Sequence, residues 1–256
     1  MKSYNYLVRI SYIGEGFHGV VLQREQKTVL GEILRFFNIK NFKISIVSRT
    51  DKGVNADENY FVISTDKELD FSKFNVENIK ILNVYRLTGY INIRKFSTGK
   101  LYEYRLPVNL FDKVYKPRYL IKDDKKIILN YEKKDFDFNL YLEASKSFIG
   151  EKSFHNFCKG KCDKPICKIF KFEVKKLDNY YINIIEGNRF LYEMIRRIIT
   201  FLISVGHGLY PIQYIDLVFD YKIDPKPFPA EAKYLTLKKV YLDWKKLYNY
   251  IEEIVL

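Results

Sequence analysis

Cysteine is scarce in this chain. Three residues, an odd number, do not make a disulfide scaffold. Cys158, Cys162 and Cys167 contain no C-x-x-C pair. Together with His155 they fit in one loop as a candidate zinc set of one histidine and three cysteines. Intervening spacings of two, three and four residues are uncommon for zinc, and ordinary loop cysteines are the plainer reading, so no metal is expected. Long apolar runs are also missing, and none reaches the length of a membrane span. Met1 to Ile10 lacks the pattern of a signal peptide and enters an alternating strand directly, which points to a cytoplasmic protein. There is no low-complexity segment and no polybasic tail.

What is present is apolar and basic. The 256 residues are 47% hydrophobic and 17% aromatic, enough for a substantial core and unlike a disordered chain. The net charge is +13, with 33 lysines against 11 arginines. Such a balance favours an acidic partner, nucleic acid first, although lysine-rich composition also follows genome bias or high growth temperature. The cations are spread along the chain, so a folded basic surface is expected rather than a disordered arm.

Strands are expected at Tyr4 to Tyr12, Ile44 to Val47, Tyr60 to Ser64, Val84 to Leu87 and Leu101 to Leu106. Thr28 caps a helix running to Phe37, with Leu30, Ile33, Leu34 and Phe37 on one face. The polar stretch Asn109 to Lys134, with Pro117, reads as a crossing between two domains, 1–106 and 107–256. Beyond it a helix is expected over Phe138 to Ile149, with strands at Ile169 to Leu177 and Tyr181 to Glu186. Asn188 then caps a helix over Phe190 to Val205, stopped by Gly206 and Gly208. Pro211 opens another helix to Phe219, and Tyr234 to Tyr241 is a last strand. Both halves run strand, helix, strand without sequence identity between them, an α+β pattern.

Four stretches could carry chemistry. Ser48-Arg49-Thr50-Asp51-Lys52-Gly53 forms a polar turn after a strand, which could hold a carboxylate outward or could simply be a solvated surface turn. Gly14 to Gly19 fits G-x-G-x-x-G, but no helix opens at the glycines, so a hairpin or loop is preferred to a nucleotide site. Arg196 lies within an apolar helical run, where a guanidinium needs a carboxylate or a phosphate unless it snorkels to the surface. Lys100-Leu101-Tyr102-Glu103-Tyr104 is a basic, aromatic strand in which Tyr102 could be ordinary packing.

These stretches together resemble the tRNA pseudouridine synthase A family. Ser48 to Ala56 is similar to its Arg-Thr-Asp-Ala-Gly-Val-His-Ala signature. Lys100 to Tyr104 is similar to its Lys/Arg-x-Tyr-x-Tyr strand, and Asn188 to Arg196 to its Asn-x-Phe-x-x-x-Met-x-Arg helix. Tyr12 to Gln23, Phe148 to Phe154 and Ala230 to Leu235 carry further likenesses in the same order. Departures at Val20, Asn55 and Lys233 mark a diverged, archaeal-like member.

The resemblance implies two RRM-like α/β units in one continuous mixed sheet with a basic central cleft, a homodimer, and tRNA as partner. It implies a cofactor-free isomerisation of uridine to pseudouridine in the anticodon stem-loop. In that reaction the N1–C1′ bond breaks, the uracil turns, and it rejoins through C5. Asp51 would be the nucleophile and Arg196 its cationic partner, while Tyr102 would lie over the base and assist removal of the C5 proton. Arg49, Lys52, Lys100, Asn188, Phe190 and Lys233 would contact the substrate, with Arg49 filling the gap left by the flipped nucleotide or holding its phosphate. Lys233 would use its methylenes as pocket wall or reach a phosphate, unless the motif is offset by one residue and Tyr234 or Leu235 takes its place. The rival readings are a synthase with shifted RNA targets and a catalytically silent RNA-binding protein.

Overall fold

The computed structural model describes residues 3–109, 119–122, 125–128 and 135–256. Most of the stretch Asn109 to Lys134, Pro117 included, lies outside the described residues. The chain divides into two compact units, one of Met1–Tyr102 with Lys233–Leu256 and the other of Glu103–Ala232. The simple cut expected after residue 106 gives way to a discontinuous first unit. The reason is strand pairing: β12 (Leu235–Leu242) lies parallel to β3 (Asn55–Thr65), with Thr236 opposite Asn55 and Leu237 opposite Ala56.

The first unit is built on β1 (Tyr4–Tyr12), flanked by antiparallel β3 and β4 (Ile79–Leu87). β2 (Phe42–Ile46) also pairs with β3, and β13 (Ile251–Ile254) with β4. The strand order is β13-β4-β1-β3-β12, followed by the first half of β5 (Ser97–Pro107). With neighbours on both edges, β1 buries Tyr6, Leu7, Val8 and Ile10 completely. β3 starts five residues before the expected Tyr60, because the buried polar residues of its opening, Glu58 and Asn59, have partners. Glu58 meets Arg9 at 2.6 Å and accepts from the Val240 amide at 3.0 Å. Thr28 does cap α1 (Val29–Phe36), accepting from the Gly31 amide at 3.2 Å. The Val29 and Leu30 amides donate back to the Gly19 and Val20 carbonyls, so the start of α1 is tied to the glycine loop.

In the second unit β6 (Tyr119–Lys122), β7 (Lys125–Ile128) and the two-residue β11 (Ile223–Asp224) form a small sheet ordered β11-β6-β7. The larger sheet runs from the second half of β5 to β10 (Tyr180–Gly187), β9 (Ile166–Leu177) and β8 (Gly150–Ser153). α2 (Phe138–Lys146) and α3 (Met194–Gly206) pack together, and α4 (Tyr214–Phe219) adds Phe219 to a cluster of Phe148, Phe154, Phe157 and Phe201. Such edge-on aromatic clusters bury large apolar areas.

α3 corrects the sequence reading. It begins at Met194, not Phe190, and Asn188 does not cap it. The Asn188 side chain instead accepts from the Lys168 amide at 2.9 Å, which holds it beside β9. The Tyr192 carbonyl accepts from the Lys159 amide, and Glu193 takes a left-handed φ of 61°. The chain therefore becomes helical only after Glu193. Arg196 falls in the first turn of α3, not in its middle.

Candidate active site

The Asp51 turn connects β2 to β3. Val54 closes it by donating to the Asp51 carbonyl at 3.2 Å, with Gly53 at φ 77°. The Gly14–Val20 loop lies directly against it. Gly53 donates to the Phe17 carbonyl and Val20 to the Thr50 carbonyl, both at 3.3 Å. A side chain at Gly14 would put its Cβ 2.3 Å from the Val54 carbonyl oxygen, so only glycine permits this approach. The G-x-G-x-x-G match is thus a support for the turn, and no helix opens there.

Side chains fix the turn from below. Asn59, fully buried in β3, accepts from the Ser48 amide at 3.2 Å and donates to the Ser48 carbonyl at 2.9 Å and the Tyr12 hydroxyl at 3.2 Å. The Tyr12 hydroxyl and Thr50 Oγ1 share a further hydrogen bond at 2.7 Å. Burial pushes the Tyr12 phenol up to about 12 despite these bonds. Asn55 accepts from the Gly14 amide at 2.8 Å and donates to the Lys233 carbonyl at 2.9 Å. Standing where the family signature has His, it keeps one acceptor and one donor at that point.

Asp51 is half-buried at the rim of this frame, between exposed Arg49 and Lys52. Tyr102, on β5, is buried, and its hydroxyl lies 2.8 Å from Ser48 Oγ. Burial raises the Tyr102 phenol well above its ordinary value, against the bond from Ser48 and with Tyr12 and Asp51 adding to the rise. Tyr102 is therefore a neutral phenol at physiological pH. Lys100, half-buried, is on the same strand. Lys233, also of the first unit, lies in a 3-10 turn, Ala232–Tyr234, with its ammonium 4.9 Å from the Tyr234 ring centre.

In the second unit Arg196 is tied to one residue twice. Its Nε donates to the Ala230 carbonyl at 2.5 Å, and the Ala230 amide donates to the Arg196 carbonyl at 3.1 Å. With Nε committed, a carboxylate would be met through Nη1 and Nη2. The next residue is anchored separately: Arg197 binds Glu193 Oε2 through Nε at 3.2 Å and Nη2 at 2.7 Å, and Lys159 Nζ reaches Oε1 at 3.2 Å. The Glu193 side chain is buried, which alone would raise its carboxyl, but the Arg197 and Lys159 bonds outweigh that and hold it below the usual range. Phe190 is half-buried, its ring edge close to Gly187.

The candidate zinc residues are not gathered into one cluster among the described residues. Cys167 is buried in β9 opposite Lys152, and the His155 ring stacks on Tyr221.

A relative from Nanoarchaeum equitans, described as tRNA pseudouridine synthase A, is 37% identical over 198 residues, covering 76% of this chain and 88% of its own. The chain belongs to the tRNA pseudouridine synthase A family. A family model for tRNA pseudouridine synthase matches residues 144–243. A Staphylococcus aureus tRNA pseudouridine synthase A is 29% identical over 255 residues, 94% of this chain and 93% of its own. A solved Cbf5-Nop10-Gar1 complex aligns with 83% of this chain and 44% of its own at 12% identity and a TM-score of 0.38, a likeness too slight to bear on the fold.

Sequence reading alone missed Ser48, Thr50, Asn59 and Glu193. Ser48 and Thr50 flank Arg49 in the signature, so their position was available. Asn59 and Glu193 left no signal, because a buried polar residue is recognised only once its partners are known.

Proposed function

We propose that Asp51 is the nucleophile with which this tRNA pseudouridine synthase A family member turns uridine into pseudouridine in the anticodon stem-loop of tRNA. The observation that carries this reading is the frame under the signature Asp51, where Asn59, Tyr12 and the Gly14 loop fix the turn while its carboxylate-bearing residue stays partly open to solvent. A rigidly held carboxylate suits a group that must attack and later leave. Whether it adds to the ring or to the sugar, the reaction needs neither redox change nor cofactor.

In this reading Arg196 is the cationic partner of Asp51, with Ala230 orienting its guanidinium. Tyr102 covers the base as a neutral phenol. The hydrogen bond between its hydroxyl and Ser48 Oγ, 2.8 Å apart, fixes the orientation in which the phenol meets the base. Arg49 and Lys52 beside Asp51, with Lys100, Asn188, Phe190 and Lys233, contact the tRNA. The reading includes a cytoplasmic homodimer. Among the described residues no helix is long and apolar enough to cross a membrane.

Incubation of the purified protein with unmodified tRNA, followed by mapping of pseudouridine, tests the reading. New pseudouridine in the anticodon stem-loop that disappears with Asp51→Ala supports it. Modification elsewhere moves the target, and no modification by a folded protein that binds tRNA overturns the activity. Light scattering of the same preparation tests the dimer.

A further inference from the structure

Most arginines here are matched with carboxylates. Arg9, Arg35, Arg86, Arg105 and Arg197 each meet one. Among the described residues, Arg49, Arg94 and Arg189 form no such ion pair. Arg49 and Arg94 belong to the first unit, and they stand near each other. Arg94 Nε donates to the Ile46 carbonyl at 2.9 Å, which puts its guanidinium against the last residue of β2, three residues before Arg49.

The turn that carries Arg94 is anchored to its neighbours. Arg94 lies in a 3-10 turn, Ile93–Phe96, with Ile93 fully buried. Asn92 caps the turn by accepting from the Arg94 amide at 3.3 Å. Ser45 Oγ accepts from the Ile93 amide and donates to the Ile91 carbonyl, both at 3.2 Å, and so staples the turn to β2. Arg94 is an exposed residue, like Arg49, but partial desolvation of its guanidinium against Ile46, and then the nearby Arg49 cation, depress it below its ordinary value. Holding two cations together without an anion is unfavourable, and an arriving anion would relieve it. The planar forks of two guanidiniums suit a phosphodiester, whose oxygens accept several donors at once.

We propose that Arg94 and Arg49 together bind one backbone phosphodiester of the RNA beside the target nucleotide, with Arg94 the preset member of the pair. Its Nε bond to Ile46 leaves Nη1 and Nη2 to reach the phosphate, while exposed Arg49 closes from the Asp51 turn. The contact positions the strand and reads no base. This inference rests on the tRNA reading above and adds to it a residue outside the signature turn.

The test measures tRNA binding in an Asp51→Ala background, where no chemistry intervenes. Arg94→Gln should weaken binding about tenfold, the value of one charge-assisted contact. It should also make the salt dependence shallower by about 0.7 to 0.9 in the log–log slope. With a neutral methylphosphonate at the contacted linkage, Arg94→Gln and Arg49→Gln should cause no further loss. If Arg94→Gln fails to fold, Arg94→Lys carries the test: affinity should fall several-fold with the slope kept. Wild-type affinity and slope in a folded Arg94→Gln or Arg94→Lys variant would overturn the proposal, as would losses that no single neutral linkage abolishes. If the unsubstituted protein neither binds nor modifies tRNA, the functional reading falls. If it does both and the Arg94 variants match it, this inference alone falls.

Discussion

The two units hold their signature residues in different ways. In the first, Asp51 stands on a turn fixed at both ends by strands, from one side by the Gly14 loop and from below by Asn59 and Tyr12. In the second, Arg196 opens a helix that starts late from a left-handed Glu193, and one backbone residue, Ala230, takes its Nε. Both arrangements use contacts distant in sequence, 38 and 47 residues apart for Tyr12–Thr50 and Tyr12–Asn59 and 34 for Arg196–Ala230, but the first has more of them and they support one another. Precision at the first position should therefore survive single losses of packing better than precision at the second.

The sharpest way to break the comparison is Asp51→Ala. Isomerisation should fall on the order of ten-thousand-fold, with tRNA affinity nearly unchanged, because phosphate contacts dominate binding. A variant keeping more than a few per cent of the rate would remove Asp51 from the chemistry. Arg196→Met comes next. Single-turnover assays should show a loss of about a hundredfold to a thousandfold, as for removal of one charge-stabilising donor, while thermal melting changes little because apolar volume is kept. Unchanged activity in the folded variant would end the proposed partnership with Asp51.

Stability measurements sharpen the contrast between the frames. Asn59→Leu strands the buried Ser48 amide and should lower unfolding free energy by about 2 to 3 kcal/mol in urea titrations. Glu193→Gln should lower it by about 1 to 2 kcal/mol, since amide bonds to Arg197 partly remain. The two differ in pH dependence. The folded Glu193 carboxyl is depressed, so its contribution is fully present above the unfolded carboxyl value of about 4.3 and is lost as pH falls through the folded value. Glu193→Gln should flatten that acid limb in urea titrations run from neutral pH downward. Asn59→Leu should leave it as it is.

Lys233→Leu should have the smallest effect. The Lys233 carbonyl, which accepts from Asn55, is kept, and the ammonium lies over Tyr234. Turnover should change by less than about twofold and RNA affinity by less than about threefold, as for an exposed cation. An inactive but folded Lys233→Leu enzyme would show that the ammonium is essential and that the uracil pocket differs from the family's.

Local pattern in the sequence determined much of this protein. Alternation and Thr28 located β1 and α1, because both depend on near neighbours and on one capping oxygen. The signature motifs placed Asp51, Tyr102 and Arg196 in the family, and the charge pointed to nucleic acid. Tertiary structure decided the rest. The polar opening of β3 is strand because Arg9 and Val240, far away in sequence, satisfy Glu58. β12 returns to the first unit because β3 offers it a parallel edge. α3 starts at Met194 because Lys168 and Lys159 hold Asn188 and Tyr192 outside the helix, a preference no local propensity contains. Arg94 became a candidate for the same reason: only folding puts its guanidinium against Ile46, beside Arg49, and a buried or paired polar group shows its role only when its partner is in place.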